Sequence, residues 1–317
     1  MIVVEDLSVE VPDTNAHHWY LTQHSEESDS SVLICGFNGS TNVDIQRSYD
    51  HFERKIYFNN WAPCEFAQYK VIRNKNAFEY EEYFDEIYSI CPYSVDWMNS
   101  QNFSRRYKPI FYPFSPYIIP ATQQKEYDVI YHGGIHGNEH VECLTVIKEF
   151  NYRYVTMTTH INADTYRCLP IATNVDLSFQ EKINLVAKSK ISVCYNMVHL
   201  KPEHIPAIKS YNRWKDNRAF EEVDGHNIMP QFKTRAHEAA IARTLNLVQK
   251  DSWNIIEDYY EPDTEFIYFT DSNDLRAKIQ DVLANWDRYE SVVEKAYHKA
   301  MRYTTDNFIR TIRNDTD

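Results

Sequence analysis

Glycine is scarce in this chain and gathered where it occurs. Six glycines serve 317 residues, where average usage would give about twenty. Gly36 and Gly39 stand together, Gly133, Gly134 and Gly137 stand together, and Gly225 is alone. A chain that places five of its six glycines in two short segments is using them for backbone shape. Each cluster follows a short β-rich run, SVLIC at 31–35 and DVIYH at 128–132. A glycine turn between a strand and a helix bares backbone N–H groups that can hold an anion. The pattern predicts two equivalent strand–turn–helix starts.

The rest of the chain extends that pattern. Further β-rich runs lie at 55–60, 86–91, 108–114, 152–158, 191–196, 244–250 and 265–269. Apolar residues at helical spacing lie between them, at 40–54, 139–150, 178–189, 232–243 and, longest, 271–303. Asp271, Ser272 and Asn273 are each good N-caps for the last. Residues 1–30 read as a polar arm with room for one strand. Strands alternating with helices imply a parallel sheet covered on both faces. Pro116 and Pro120, followed by a polar stretch, mark 115–126 as a linker. The expected architecture is α/β: two Rossmann-like domains, 1–120 and 121–317, facing a cleft, with ligands at the carboxyl ends of the strands.

Charge and composition exclude several classes. The net charge of −13 argues against general nucleic-acid binding, which draws on Lys and Arg. Arg105, Arg106 and Lys108 offer one local basic cleft. No apolar run approaches the ~18 residues of a membrane span, and the acidic start MIVVEDLSVEVPD is unlike a signal peptide. Six widely spaced cysteines without CxxC read as free, buried thiols of a cytoplasmic protein.

The second glycine loop, YHGGIHGNEH at 131–140, carries chemistry of its own. His132 and His136 are candidate catalytic groups, with Asp96 and Glu65 behind them. GGIHGNE also looks like the zinc motif of carboxypeptidase- and aspartoacylase-type amidohydrolases, with His136, Glu139 and a later His199 as ligands. Against it, His199 has no acid before it, Asn174 is followed by Ser178 where an arginine would serve, and no general-base Glu is assigned. In the first half, 59–66 and 91–99 are rich in Trp, Asn and acids, a composition suited to sugar recognition.

The segment 229–251 carries the most information. Lys233, Arg235 and Glu238 fall in the first turns of a helix that leads into a strand. A helix start with two cations suits a diphosphate, and a carboxylate one turn on suits a diol. A solvated amphipathic helix would show the same spacing.

The ordered set Lys233-x-Arg235-x-x-Glu238-Ala239, a following strand, Glu265-Phe266-x-Tyr268-Phe269, and Asp274-Leu275 opening a long helix resembles the C-terminal half of GT-B glycosyltransferases. The nearest groups are the family 1/family 4-like and CgeB-like ones, which end in a helix with a threonine near Tyr303-Thr304-Thr305. The resemblance spans roughly 125–310. It implies a nucleotide-diphosphate-sugar donor and a carbohydrate or other hydroxyl acceptor. It places Glu238 on the ribose, Lys233 and Arg235 on the diphosphate, and Gly36, Gly39, Gly133 and Gly134 in substrate-binding loops. No metal or other cofactor is implied, because helix termini and cations can stabilise the leaving group. The sole DxD, Asp315-Thr316-Asp317, lies on the terminal tail. The sequence departs from the family at Pro230, where an acid completes E-x7-E, and at Arg243, where a small residue is usual. These departures keep a non-catalytic binding protein open beside the zinc hydrolase.

Overall fold

The computed structural model describes residues 2–6, 32–36, 54–59, 85–90, 107–134, 137–156, 172–200, 221–223 and 226–314, together with Pro92, Val95, Asp96 and Asn99. These form two compact units. One holds the described residues up to Tyr117 and those from Tyr303 onward; the other holds those of Ile118–Leu200 and Asn217–Arg302.

The first unit contains five strands: β1 (Ile2–Asp6), β2 (Val32–Gly36), β3 (Arg54–Asn59), β4 (Glu86–Ser89) and β5 (Tyr107–Pro109). They pair in chain order and all in parallel. Glu86 on β4 ties its neighbours together, meeting Arg54 on β3 and Lys108 on β5, the latter at 3.0 Å. The β-rich run at 108–114 leaves the sheet after Pro109. Its later residues pair instead with the C-terminal segment: Phe114 N–H donates to Tyr303 O at 3.0 Å, and Thr305 N–H donates to Phe114 O at 2.9 Å. The Phe111 ring meets those of Tyr303 and Phe308 at 5.5 and 6.0 Å. The helix expected at 40–54 lies outside the described residues except for Arg54, which opens β3.

The remaining strands are β6 (Tyr127–His132), β7 (Tyr152–Thr156), β8 (Asn174–Val175), β9 (Ser189–Cys194), β10 (Met197–Leu200), β11 (Glu221–Val223), β12 (His226–Pro230), β13 (Leu245–Gln249) and β14 (Ile267–Phe269). The helices are α1 (Gly137–Ile147), α2 (Phe179–Ala187), α3 (Arg235–Ile241), α4 (Ser272–Ala284), α5 (Trp286–Ala300) and α6 (Thr305–Asn314). A six-stranded parallel sheet runs β14-β13-β9-β6-β7-β8. The chain lays β7 and β8 outward in one direction from β6, then β9, β13 and β14 in the other, which is the order of a doubly wound dinucleotide-type fold. Alternating residues of β6 feed opposite faces. Val129 and Tyr131 pack with Leu144 and Ile147 of α1 and Leu275 and Ile279 of α4. Ile130 packs with Val155, Val186, Ala187 and Ala242 on the other side.

Three features depart from the sequence reading. Strands β10, β11 and β12 form a separate antiparallel sheet that no local pattern announced. The helix expected over 271–303 divides at Asn285, whose Nδ2 donates to Asp281 O at 3.2 Å and to Asp281 Oδ1 at 2.8 Å. Such side-chain bonds to the preceding turn compete with helix continuation. Of the three candidate caps Asp271 serves, accepting from the N–H groups of Asn273 and Asp274 at 2.8 and 2.9 Å. Finally, α3 is only seven residues long, and the chain leaves it through Arg243 at φ +49. That left-handed position favours glycine and costs another residue about 1 kcal/mol. Arg243 is held there by its guanidinium over the Tyr297 ring at 3.5 Å and a 3.0 Å bond to Glu294.

Lys125, inside the expected linker, is a staple. Its Nζ donates to Ala187 O at 2.9 Å, Arg243 O at 2.6 Å and Thr244 Oγ1 at 3.3 Å, so one ammonium caps the ends of α2 and α3. Burial, and then the charge of Arg243, push Lys125 down to about 7, whereas an unfolded lysine titrates near ~10.4. Between those values the unfolded chain holds more protons, so this group adds stability as pH rises from about 7 toward about 10. Lys125→Met removes both the cap and the titration. The stability gap between wild type and variant is expected to widen from pH 7 to pH 9.5 in urea melts, and a gap independent of pH contradicts this assignment.

Candidate functional site

The strand order reverses between β6 and β9, and the carboxyl ends of these two strands bound the crevice where such sheets take ligands. The second glycine turn stands at that point. Gly133 has φ +136, and its N–H donates to Val155 O at 2.9 Å. A Cβ added there would collide with the Arg235 guanidinium. Glycine therefore suits the backbone angle and leaves the guanidinium its present seat. The Tyr131 hydroxyl donates to Gly134 O at 2.5 Å, and the Tyr131 ring faces the Arg235 guanidinium at 5.7 Å.

Helix α3 is not a solvated amphipathic helix. Every residue from Ala236 to Ile241 is buried. The segment before it is fixed from several sides. Lys233 N–H donates to Asn196 Oδ1 at 2.9 Å, and its ammonium meets Gln231 Oε1. Phe232 stacks on Tyr259 with centroids 3.8 Å apart. His237 Nδ1 lies 2.6 Å from the Tyr260 hydroxyl.

Glu238 is 1% exposed. Lys182 of α2 reaches its Oε1 at 3.0 Å and Oε2 at 2.9 Å. Thr234 Oγ1 donates to Oε1 at 3.3 Å, and His132 Nδ1 is 3.2 Å from Oε2. Burial raises the Glu238 pKa, but the Lys182 charge and the His132 contact outweigh it and hold the carboxyl well below the usual range. His132, at the end of β6, is 2% exposed. Burial keeps its ring neutral, the Glu238 hydrogen bond and charge pull the other way, and Lys182 and Arg235 oppose protonation. A neutral ring with its proton on Nδ1 donates to Glu238 and accepts from Ser192 Oγ, which is 3.3 Å from Nε2. This acid–His–Ser series resembles a hydrolytic triad, yet Ser192 is fully buried and offers no substrate an approach. Cys194 nearby is an inert thiol, pushed up to about 12 by burial.

The expected residues therefore divide. Lys233, Arg235, Glu238, His132, Gly133 and Gly134 come together at the carboxyl ends of β6 and β9. Gly36 ends β2 in the other unit, while Gly39, His136 and Glu65 lie outside the described residues. Glu139 falls in α1 and His199 in β10, opposite Ile228. His140 is buried, its ring edge on Tyr195 at 3.8 Å. Among the described residues no cluster of three His, Cys, Asp or Glu side chains is placed to hold a metal. Arg105 and Arg106 lie outside the described residues, and Lys108 is engaged by Glu86. Sequence reading missed Lys182, Ser192 and Asn196. The capping box of Ser178 and Glu181 starts α2 and puts Lys182 in its first turns, the one signal that could have drawn attention to it.

Glu238→Gln tests the cluster. A carboxylate whose folded pKa is depressed adds stability above its ordinary value of 4.5 and loses it as pH falls through the lower folded value. The variant should lose about 3 kcal/mol at pH 7, because Lys182 is left without its counter-charge. The gap to wild type should close toward pH 3 in denaturant melts. A constant gap would show that the carboxylate is not ionised in the fold.

Residues 174–314, a little under half of the chain, match a family model described as glycosyl transferase-like. None of the curated proteins matches the chain. Several solved structures do so in fold. Sucrose-phosphate synthase from Thermosynechococcus elongatus superposes over 90% of this chain and 73% of its own, with TM-score 0.54 and 10% identity. Anabaena HepE in complex with UDP-glucose superposes over 90% and 78%, with TM-score 0.57 and 11% identity. The DNA modifying enzyme β-glucosyltransferase superposes over 90% and 82%, with TM-score 0.53 and 11% identity. Nothing in these likenesses supports the amidohydrolase alternative. The match over residues 174–314 is to a glycosyl transferase-like family model, and the chain has the GT-B fold.

Proposed function

We propose that this chain transfers a sugar from a nucleotide-diphosphate sugar to a hydroxyl acceptor, with the diphosphate at the carboxyl ends of β6 and β9. The observation that carries this reading is the Arg235 guanidinium seated against Gly133, where any side chain would displace it. Lys233 stands two positions before it, its N–H held by Asn196 Oδ1 just past the end of β9, so both cations belong to the turn that meets β6 and β9. Breaking the bond from the anomeric carbon to the diphosphate leaves negative charge on the departing oxygen. Fixed cations stabilise that charge without reorganising. Side chains thus supply the charge neutralisation the reaction needs, and the reading calls on no metal.

Within this reading His132 acts as a positioning residue. Both ring nitrogens are engaged and the ring is buried, so it orients Glu238 rather than meeting an acceptor hydroxyl. The ribose role that the resemblance gives Glu238 does not fit its burial; it anchors α3 to α2 through Lys182. The fold likeness to HepE, which was solved with UDP-glucose, supports UDP as the first nucleotide to try. No described helix is long and apolar enough to cross a membrane.

Thermal melts with UDP, GDP, ADP and their sugar conjugates test the proposal. At least one diphosphate is expected to raise the melting temperature through preferential binding to the native state, and released diphosphate should appear when an acceptor mixture is added. Arg235→Gln should weaken that diphosphate by roughly tenfold to a hundredfold, the worth of a charge-assisted bond, and Gly133→Ala should do the same by displacing the guanidinium. A panel without any shift would reject the donor site. Binding without transfer would favour the non-catalytic reading.

A further inference from the structure

Asn196 follows β9, three residues past Val193, the partner of Tyr131 in the sheet. It is 1% exposed. Its Oδ1 accepts the Lys233 N–H at 2.9 Å and its backbone oxygen accepts the Gln231 N–H at 2.8 Å. One residue therefore clamps the turn that carries the cations. That clamp also fixes which way the carboxamide faces, since a flipped amide would set Nδ2 donor against N–H donor. The remaining half, Nδ2, is buried and has no acceptor.

A buried donor without an acceptor costs about 1–3 kcal/mol, and folded proteins rarely keep one without reason. The charged side chains acting on Cys194, two residues upstream, are Arg235 and Lys233 and, with opposite sign, Glu238 and Asp251; of these Glu238 is paired with Lys182. The Arg235 guanidinium against Gly133 and the Lys233 turn that Asn196 clamps bring two cations to that place, which suits an anionic acceptor. We infer that Asn196 is a further ligand-binding residue of this site, its Nδ2–H donating to a phosphate oxygen of the nucleotide diphosphate. The inference rests on the nucleotide-diphosphate reading above and extends it to a residue that the resemblance did not name. It assigns Asn196 two jobs at once: the oxygen holds the Lys233 turn, and the nitrogen reads the ligand that the turn binds.

Asn196→Asp separates the two. It keeps an acceptor for the Lys233 N–H and replaces the donor with an anionic oxygen. With the nucleotide that binds wild type most tightly, here UDP, calorimetry should show UDP affinity reduced at least tenfold and uridine affinity changed less than threefold. Unchanged UDP affinity would overturn the inference while leaving the donor site standing. An equal loss for UDP and uridine would mark damage to the fold and also overturn it. A crystal structure of the wild-type chain with UDP gives a reading independent of the variant: a phosphate oxygen about 3 Å from Asn196 Nδ2 supports the assignment, and an Nδ2 with no phosphate contact rejects it. If wild type binds no nucleotide of the panel, the proposed function and this inference fall together.

Discussion

The ion pair between Lys182 and Glu238 is the interaction on which the second unit's carboxyl edge depends. A lone buried carboxylate would be protonated or would unfold its surroundings. Glu238 stays ionised because an ammonium from α2, a hydroxyl from the turn before α3 and an imidazole from β6 all converge on it. Three separate elements are thereby brought to one point. The pair is also specific in a way that apolar packing is not. Moving either helix by a turn would strand a charge.

The same two helices are joined a second time at their ends, where Lys125 takes carbonyls from both. Two lysines thus hold α2 and α3 side by side, one near the start of α2 and one past its end. The arrangement fixes the height of the turn at 231–234 against the sheet. That turn in turn sets Arg235 against Gly133. The site is consequently built on helix and strand ends whose positions are over-determined, the condition under which cations can be pre-organised for a developing negative charge.

Much of the scaffold was legible because it is local. Hydrophobic runs bounded by turn residues located β6, β9, β13 and β14 to within two or three residues at each end, and the glycine cluster after β6 marked the site. Lys233, Arg235 and Glu238 were legible through their spacing on one short segment. Partnerships across sequence were not. Lys182 lies 56 residues from Glu238, and the capping box of α2 places it in the first turns without pointing to its partner. The antiparallel sheet of β10, β11 and β12 escaped for the same reason, since pairing of Met197 with Pro230 leaves no periodic trace. Spacing alone left a solvated amphipathic helix open for α3; its residues from Ala236 to Ile241 are buried, which its alanines are small enough to allow. Arg243 was read as a departure from a position that favours glycine; the left-handed backbone there gives that departure its physical meaning.

The central claim is that a nucleotide diphosphate is held where β6, β9 and the turn before α3 meet. Hydrogen–deuterium exchange, followed by mass spectrometry with and without the diphosphate that most raises the melting temperature, tests it directly. The account predicts slowed exchange in peptides covering 131–134, 194–196 and 231–238, with little change at β14 and α5. Protection confined to other segments, with these three unaffected at saturating nucleotide, would contradict it.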